Sequence, residues 1–305
     1  MKVRFYATTG ATPEALALAT DMTLLHGEKL DDRGTLACDV WPSSCTRVNV
    51  EYGVEQMTLT VGGLTKPTDV AVDLLSHFDA TKVVLEATTL GFAELFSVIH
   101  ALLQKGTNRI EIVYVEPAQY SRLRPGGDQF ALSEPTRGYL PIPNSIVDLT
   151  SDDLEAGVFF LGFEPERLDR ALEEHQMISS KEIKVVFGIP AYHPGWELDA
   201  IVPHLPVLEQ RRLELDYCSA NDPEAAFECL ERTRASLGIG KRMFVAPIGP
   251  KPCGIAAALF ASIYPQEVGL LFDHPRRKAK RSKGASQWHR FTVMIERDVT
   301  PSEAV

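Results

Sequence analysis

The chain has 305 residues, 45% of them hydrophobic and 24% charged, and a formal net charge of −10. That length is one large domain or two ordinary ones, the composition excludes disorder as the default state, and the acidic balance disfavours nonspecific nucleic-acid binding by the chain as a whole. Five cysteines without a C-x-x-C pair argue against a disulfide framework or a structural zinc site and fit a reducing, cytoplasmic setting, while no apolar run reaches the length of a signal peptide core or a membrane span.

In chain order, Lys2 to Ala7 is read as a strand and Thr12 to Leu24 as a helix. Val48 to Val61 alternates like a hairpin, Gly62-Gly63 is a turn, and Val70 to Phe78 reads as a helix. A clearer unit follows. Lys82-Val83-Val84-Leu85 is a buried-type strand, Thr88 to Gly91 a loop, Phe92 to Lys105 a helix and Ile110 to Val115 a strand, giving β-loop-α-β. Residues 121–150, rich in Pro, Gly and Ser, read as a linker or excursion. Beyond them, strands (Gly157–Leu161, Ile183–Phe187, Leu213–Tyr217, Arg242–Ala246, Val268–Phe272) alternate with helices (Pro165–His175, Leu198–Gln210 interrupted by Pro203 and Pro206, Pro223–Ser236, Cys253–Ile263). Phe291 to Ile295 reads as an added edge strand. The expected fold is α/β: a Rossmann-like, doubly wound, mostly parallel sheet with a strand-rich N-terminal portion. The expected units are 1–120, the excursion 121–150, and 151–305, with the first and last open to forming one continuous domain. No internal repeat is visible.

Ligands of open parallel sheets sit outside the carboxyl ends of the strands, so the strand-to-helix loops are the candidate site. In Ala246 to Gly254, Gly249 gives backbone amides access to an anion, the helix start is electropositive and Lys251 adds a charge, although three prolines remove donors. In Gly188 to Glu197, Tyr192 and Trp196 are candidates to stack on a base and His193 to bind phosphate or move protons. In Cys218 to Glu224, Ser219 or Asn221 is read first as a cap of the following helix, Asn221 is also a ligand candidate, and Asp216 and Asp222 are candidates for a ribose contact. In Glu86 to Gly91, Thr88 and Thr89 offer hydroxyls and Glu86 a base; the similar Thr8-Thr9 stretch suggests a shared polar pocket. Seven of the 31 basic residues fall between His274 and Arg290, where there is no acid. Arg276 and Arg277 are therefore phosphate candidates, and the segment as a whole is a candidate for contact with nucleic acid. No Walker A, G-x-G-x-x-G, G-x-S-x-G or H-E-x-x-H motif is present, and no metal site or cofactor is expected.

The stretch Arg242 to Phe272 resembles part of CARF-type sensor domains, the Rossmann-like modules that bind cyclic oligoadenylates in CRISPR-associated proteins. The shared pattern is the strand Phe244-Val245-Ala246, the turn Pro247-Ile248-Gly249-Pro250-Lys251-Pro252, the small-residue helix Ile255 to Ala261 and the strand Val268 to Leu271. The Thr88-Thr89 loop also looks like the first-strand loop of such domains. The resemblance covers about a tenth of the chain, with no effector nuclease or winged-helix segment alongside it. It implies Gly249 and Lys251 at a ligand, and a sensor in a bacterial defence or signalling system.

The leading expectation is a protein that binds or senses a phosphorylated, nucleotide-like or oligonucleotide ligand. The alternatives are a hydrolase or transferase of nucleotide or sugar-phosphate metabolism, with Glu86, Asp222 or His193 as general base, and a subunit of a homodimer or larger complex.

Overall fold

The computed structural model describes residues 1–122, 130, 132–134 and 138–296. The chain is α/β, with two sheets. The first carries β1 (Lys2–Gly10), β2 (Thr23–His26), β3 (Thr46–Gly53), β4 (Thr58–Val61), β5 (Leu64–Pro67), β6 (Val83–Glu86) and β7 (Arg109–Tyr120). The second carries β8 (Leu154–Leu161), β9 (Glu182–Gly188), β10 (Glu214–Cys218), β11 (Arg242–Ile248) and β12 (Val268–Leu270); β13 (Ser282–Glu296) then returns to the first. The helices are α1 (Asp32–Asp39), α2 (Phe92–Gln104), α3 (Pro165–Glu174), α4 (Trp196–Gln210), α5 (Pro223–Ser236) and α6 (Lys251–Ile263). No helix among the described residues is long and apolar enough to cross a membrane.

The second sheet is parallel throughout, in the order β10-β9-β8-β11-β12. The first is mixed, in the order β1-β13-β7-β6-β2-β3-β4-β5. Its four central strands are parallel, while β13 and the β4–β5 hairpin run antiparallel to their neighbours. The expectation of one mostly parallel sheet is thus corrected to two sheets, one parallel and one mixed. The parallel strands share a connectivity. β2-α1-β3 then β6-α2-β7 lie in the order β3-β2-β6-β7, and β8-α3-β9 then β11-α6-β12 lie in the order β9-β8-β11-β12. Topology repeats where the sequence shows no repeat.

The period of two along each strand sorts the side chains into three cores. Val83 and Leu85 of β6, Ile110 and Ile112 of β7, Val158 and Phe160 of β8, and Met243 and Val245 of β11 all enter one cluster, which α2, α5 and α6 fill between the two sheets. The residues between them point outward. Phe159, Phe187 and Phe244 meet α3 and α4, and Val84 and Val113 meet Leu16, Ala37 and Trp41 beside α1. Helices α2 and α6 are apolar almost all round because each is covered by a sheet and by the other helix. The run Ala256-Ala257-Ala258 lets α6 approach closely.

Several local expectations change. Thr12 to Leu24 is not a helix: Pro13–Leu16 forms one 3-10 turn, and Leu24 and Leu25 lie in β2, buried on its opposite faces. Val70 to Phe78 holds only a 3-10 stretch, Thr68–Asp73, followed by turns. α4 continues through Pro203 and Pro206. β13 is an interior strand between β1 and β7, and the edge belongs to β1. The excursion 121–150 lies partly outside the described residues. Of the described part, Ile142 enters the inter-sheet core and Tyr139 donates its hydroxyl to the Arg167 carbonyl (2.6 Å), so this part packs as structure.

Candidate functional site

The carboxyl ends of the parallel strands of both sheets open onto one cavity of 540 Å³. This is within the usual range of small-molecule sites. Its floor lies at the ends of β8 and β11, neighbouring parallel strands of the second sheet. After β8 and β11 the chain diverges to opposite sides, and Gly249 passes so near Leu161 that a Cβ there would lie 2.6 Å from the Leu161 carbonyl oxygen and 2.9 Å from that of Phe160. Only glycine permits this approach. Gly249→Ala is expected to cost about 1–3 kcal/mol of stability, read from the urea midpoint, because backbone rather than a flexible side chain blocks the methyl.

Opposite this floor, β6 ends in a loop clamped by its own carboxylate. Glu86 accepts the amides of Thr88 (2.9 Å) and Thr89 (2.8 Å) and the Thr89 hydroxyl. The Thr89 oxygen also receives the Gly27 amide (3.0 Å), and Thr88 Oγ1 receives the Val115 amide (3.0 Å). The N-terminal turns of α2, through Gly91 to Glu94, and of α6, through Lys251, both line the cavity.

The roof is the segment joining β12 to β13, which crosses from one sheet to the other. Asp273, fully buried, is gripped by Arg167 of α3 through two hydrogen bonds (2.7 and 2.5 Å). His274 stacks on Tyr52 at 5.7 Å. Arg277 donates to the Thr89 carbonyl, and the Lys280 amide bonds Leu30 (2.9 Å). These anchors direct Arg277 and Arg281 inward. Arg33, 2% exposed, joins them from α1, donating to the Val115 carbonyl (3.0 Å) beneath the rings of Tyr114 and Tyr120. Lys251 donates to the Leu90 carbonyl (2.7 Å).

Four cations thus converge, and none of Arg33, Lys251, Arg277 and Arg281 forms an ion pair with a carboxylate among the described residues. The Nε atoms of Arg33 and Arg281 are buried without a partner. Burial, with Arg277 and Arg281 nearby, brings the Lys251 ammonium down to about 7; burial, with Arg33 and Arg277, brings Arg281 down to about 10. Beside this cluster stands an aromatic wall, with Tyr120 and Phe163 packed on Trp196 at 5.2 and 5.8 Å and the hydroxyls of Tyr114 and Tyr192 bonded at 3.1 Å.

Of the sequence candidates, Thr88, Tyr192, Trp196, Gly249, Lys251, Arg276 and Arg277 line this cavity. Glu86, Thr89, His193, Asn221 and Asp222 do not. Glu86 and Thr89 hold the loop together. Asp222 caps α5 through the amides of Glu224 (2.9 Å) and Ala225 (3.2 Å), and Asn221 accepts from Ser219 (2.8 Å). His193 bonds the Pro117 carbonyl through Nε2 (2.9 Å) and packs on Trp196. Asp216 is engaged by Lys184 and Arg232. Thr8 and Thr9 lie within β1, not in a loop, and Thr9 Oγ1 meets His289 Nδ1 at 2.9 Å. The far end of the basic segment is strand: Trp288 is buried and Arg290 bonds Glu111 (2.8 Å), so residues 274–290 do not form one open basic face. Arg33 and Tyr114 were missed. Asp31 as cap, with Leu36, Ala37, Val40 and Trp41 following at helical spacing, is the signal that marks α1 and hence Arg33.

No protein-family model matches the chain. No curated protein matches it either.

Proposed function

We propose that this cavity binds a phosphorylated, nucleotide-like ligand, with each sheet acting as a Rossmann-like half and the whole acting as a CARF-like sensor. The observation that carries the reading is the convergence of Arg33, Lys251, Arg277 and Arg281 without carboxylate partners among the described residues. Like charges gathered in a half-closed site cost folding energy, and an anion in their midst offsets that cost. Two helix N-termini add to the positive field. Guanidinium groups grip phosphate oxygens bidentately, and the wall of Tyr120, Phe163 and Trp196 offers a face for a planar base. The candidate bases Glu86, Asp222 and His193 stand outside the cavity, whose lining carboxylates are instead Glu28, Glu51, Glu94, Glu134 and Glu164.

The pH dependence tests the reading. A bound phosphodiester favours the ammonium form of Lys251, whose free-state value is about 7, so binding above neutrality takes up a proton. A phosphodiester itself has no titration in this range. Its affinity is expected to be flat below about pH 6 and to fall by up to about tenfold per pH unit above 7, and calorimetry in buffers of different ionisation heat should detect the proton. In Lys251→Met the profile should be flat.

A second reading, as a subunit of a larger complex, draws on the exposed apolar stripe Leu198, Val202 and Leu205 along α4, at i, i+4, i+7. It is compatible with the first.

A further inference from the structure

We propose that Lys251 is a nucleophilic amine and that the cavity captures a phosphate-bearing aldehyde or ketone there as an imine; this rests on the anion-binding reading of the same cavity. Lys251 opens α6 and is half-buried, with its Nζ held 2.7 Å from the Leu90 carbonyl oxygen. That bond uses one hydrogen of the amine and leaves the lone pair of the neutral form free. The charged groups that act on Nζ are Arg277 and Arg281 from the roof, Glu94 from α2 and Glu86 at the end of β6. Glu86 is committed to the Thr88 and Thr89 amides. Burial first, and then the two guanidiniums, oppose an ammonium more than Glu94 and Glu86 support it, so the neutral amine is populated near pH 7.

The same groups that keep the amine neutral hold a ligand phosphate. Arg277, Arg281 and Arg33 line the cavity together with Lys251, and so do Tyr120, Phe163 and Trp196 of the aromatic wall. In the step itself the Nζ lone pair attacks the carbonyl carbon and an N–H proton passes to the oxygen, giving a carbinolamine. Loss of water then leaves the imine. Amine and carbonyl give imine and water, with no oxidant or reductant. Diester binding uses the ammonium and carbonyl capture uses the amine, and both forms are present near neutrality.

The probe is pyridoxal 5′-phosphate with borohydride trapping and peptide mapping. Pyridoxine 5′-phosphate, which carries an alcohol in place of the aldehyde, is titrated in parallel by calorimetry. An exposed lysine is about one part in 2,500 neutral at pH 7, against about half for a group titrating near 7. Allowing for the weaker nucleophilicity of the less basic amine, Lys251 should be labelled on the order of a hundredfold faster than exposed lysines. With the probe's phosphate bound, which favours the ammonium, its rate should level off somewhat above pH 7 but well below the pH at which theirs does. Lys251→Arg should lose that label. If pyridoxine 5′-phosphate binds but Lys251 is labelled no faster than exposed lysines, the amine proposal is overturned and the anion site stands. If pyridoxine 5′-phosphate does not bind and Lys251 is not labelled, the capture proposal is overturned, and the nucleotide reading is decided separately by nucleotide binding.

Discussion

Arg167→Met is expected to destabilise the protein by about 3–5 kcal/mol, the usual cost of leaving one partner of a buried ion pair alone. Asp273 is fully buried, and both its oxygens are taken by the Arg167 guanidinium. Arg167 also donates to the Ile248 carbonyl (3.1 Å), beside the glycine at which the second sheet opens into the cavity. The pair therefore pins the roof at the point where it leaves β12. Removing it should lower the urea midpoint and also slacken the segment that carries Arg276, Arg277 and Arg281. Adding Asp273→Asn to the variant removes the orphaned charge and should recover part of the stability. Equal midpoints for the wild type and Arg167→Met would show that the pair does not hold the roof.

Arg281→Met is expected to shift two quantities in opposite directions. In the free protein it removes a half-buried cation that faces Arg33 and Arg277 and whose buried Nε has no partner, so stability should rise by about 1 kcal/mol. Its methionine side chain fills most of the space that the arginine stem occupied. In the presence of a nucleotide the same change should remove about 2 kcal/mol of ligand-induced stabilisation, since a charged hydrogen-bonding partner is lost in a half-closed site. A purely structural arginine would give the reverse on the first measurement, a loss of stability without ligand. Thermal unfolding of both proteins, with and without ligand, reads both effects.

How far the sequence foretold this depended on the kind of signal. The apolar strands β6, β8, β9 and β11 and the helices α2, α5 and α6 were legible because strands buried on both faces are short, nearly continuous apolar runs, and because the helices between them keep a 3.6-residue period. The stretch from Thr12 to Leu24 failed because its alanines and leucines mimic that period, while Pro13 opens only a single 3-10 turn that the left-handed conformation of Ala17 (φ 46°) ends. β13 was read as an edge because nothing in its own sequence reveals that β1, 280 residues earlier, covers its far side.

The site was half legible for a related reason. Gly249, Lys251, Thr88 and Arg277 could be named because each follows a recognisable strand, and strand ends are where such folds bind ligands. The division of labour within a loop was not legible. Thr88 reaches the cavity whereas Thr89 turns into the Glu86 clamp, one residue apart. Arg33 was invisible because it acts from a different α/β unit, 218 residues before Lys251, and only the facing of the two sheets brings them together. The shared connectivity β2-α1-β3/β6-α2-β7 and β8-α3-β9/β11-α6-β12 is likewise a property of pairing order, which leaves no trace in residue identity.

The most direct test of the central claim is a thermal-unfolding screen of the wild-type protein and Arg281→Met against mononucleotides, cyclic and linear oligonucleotides and sugar phosphates. At a hundredfold excess over the dissociation constant, a ligand of the native state stabilises by about 2.7 kcal/mol, a shift of several degrees. At least one nucleotide-like ligand is expected to give such a shift with the wild type and to lose it with Arg281→Met. A cooperatively folding wild-type protein that no member of the panel stabilises, or a shift of equal size in both proteins, would contradict that claim.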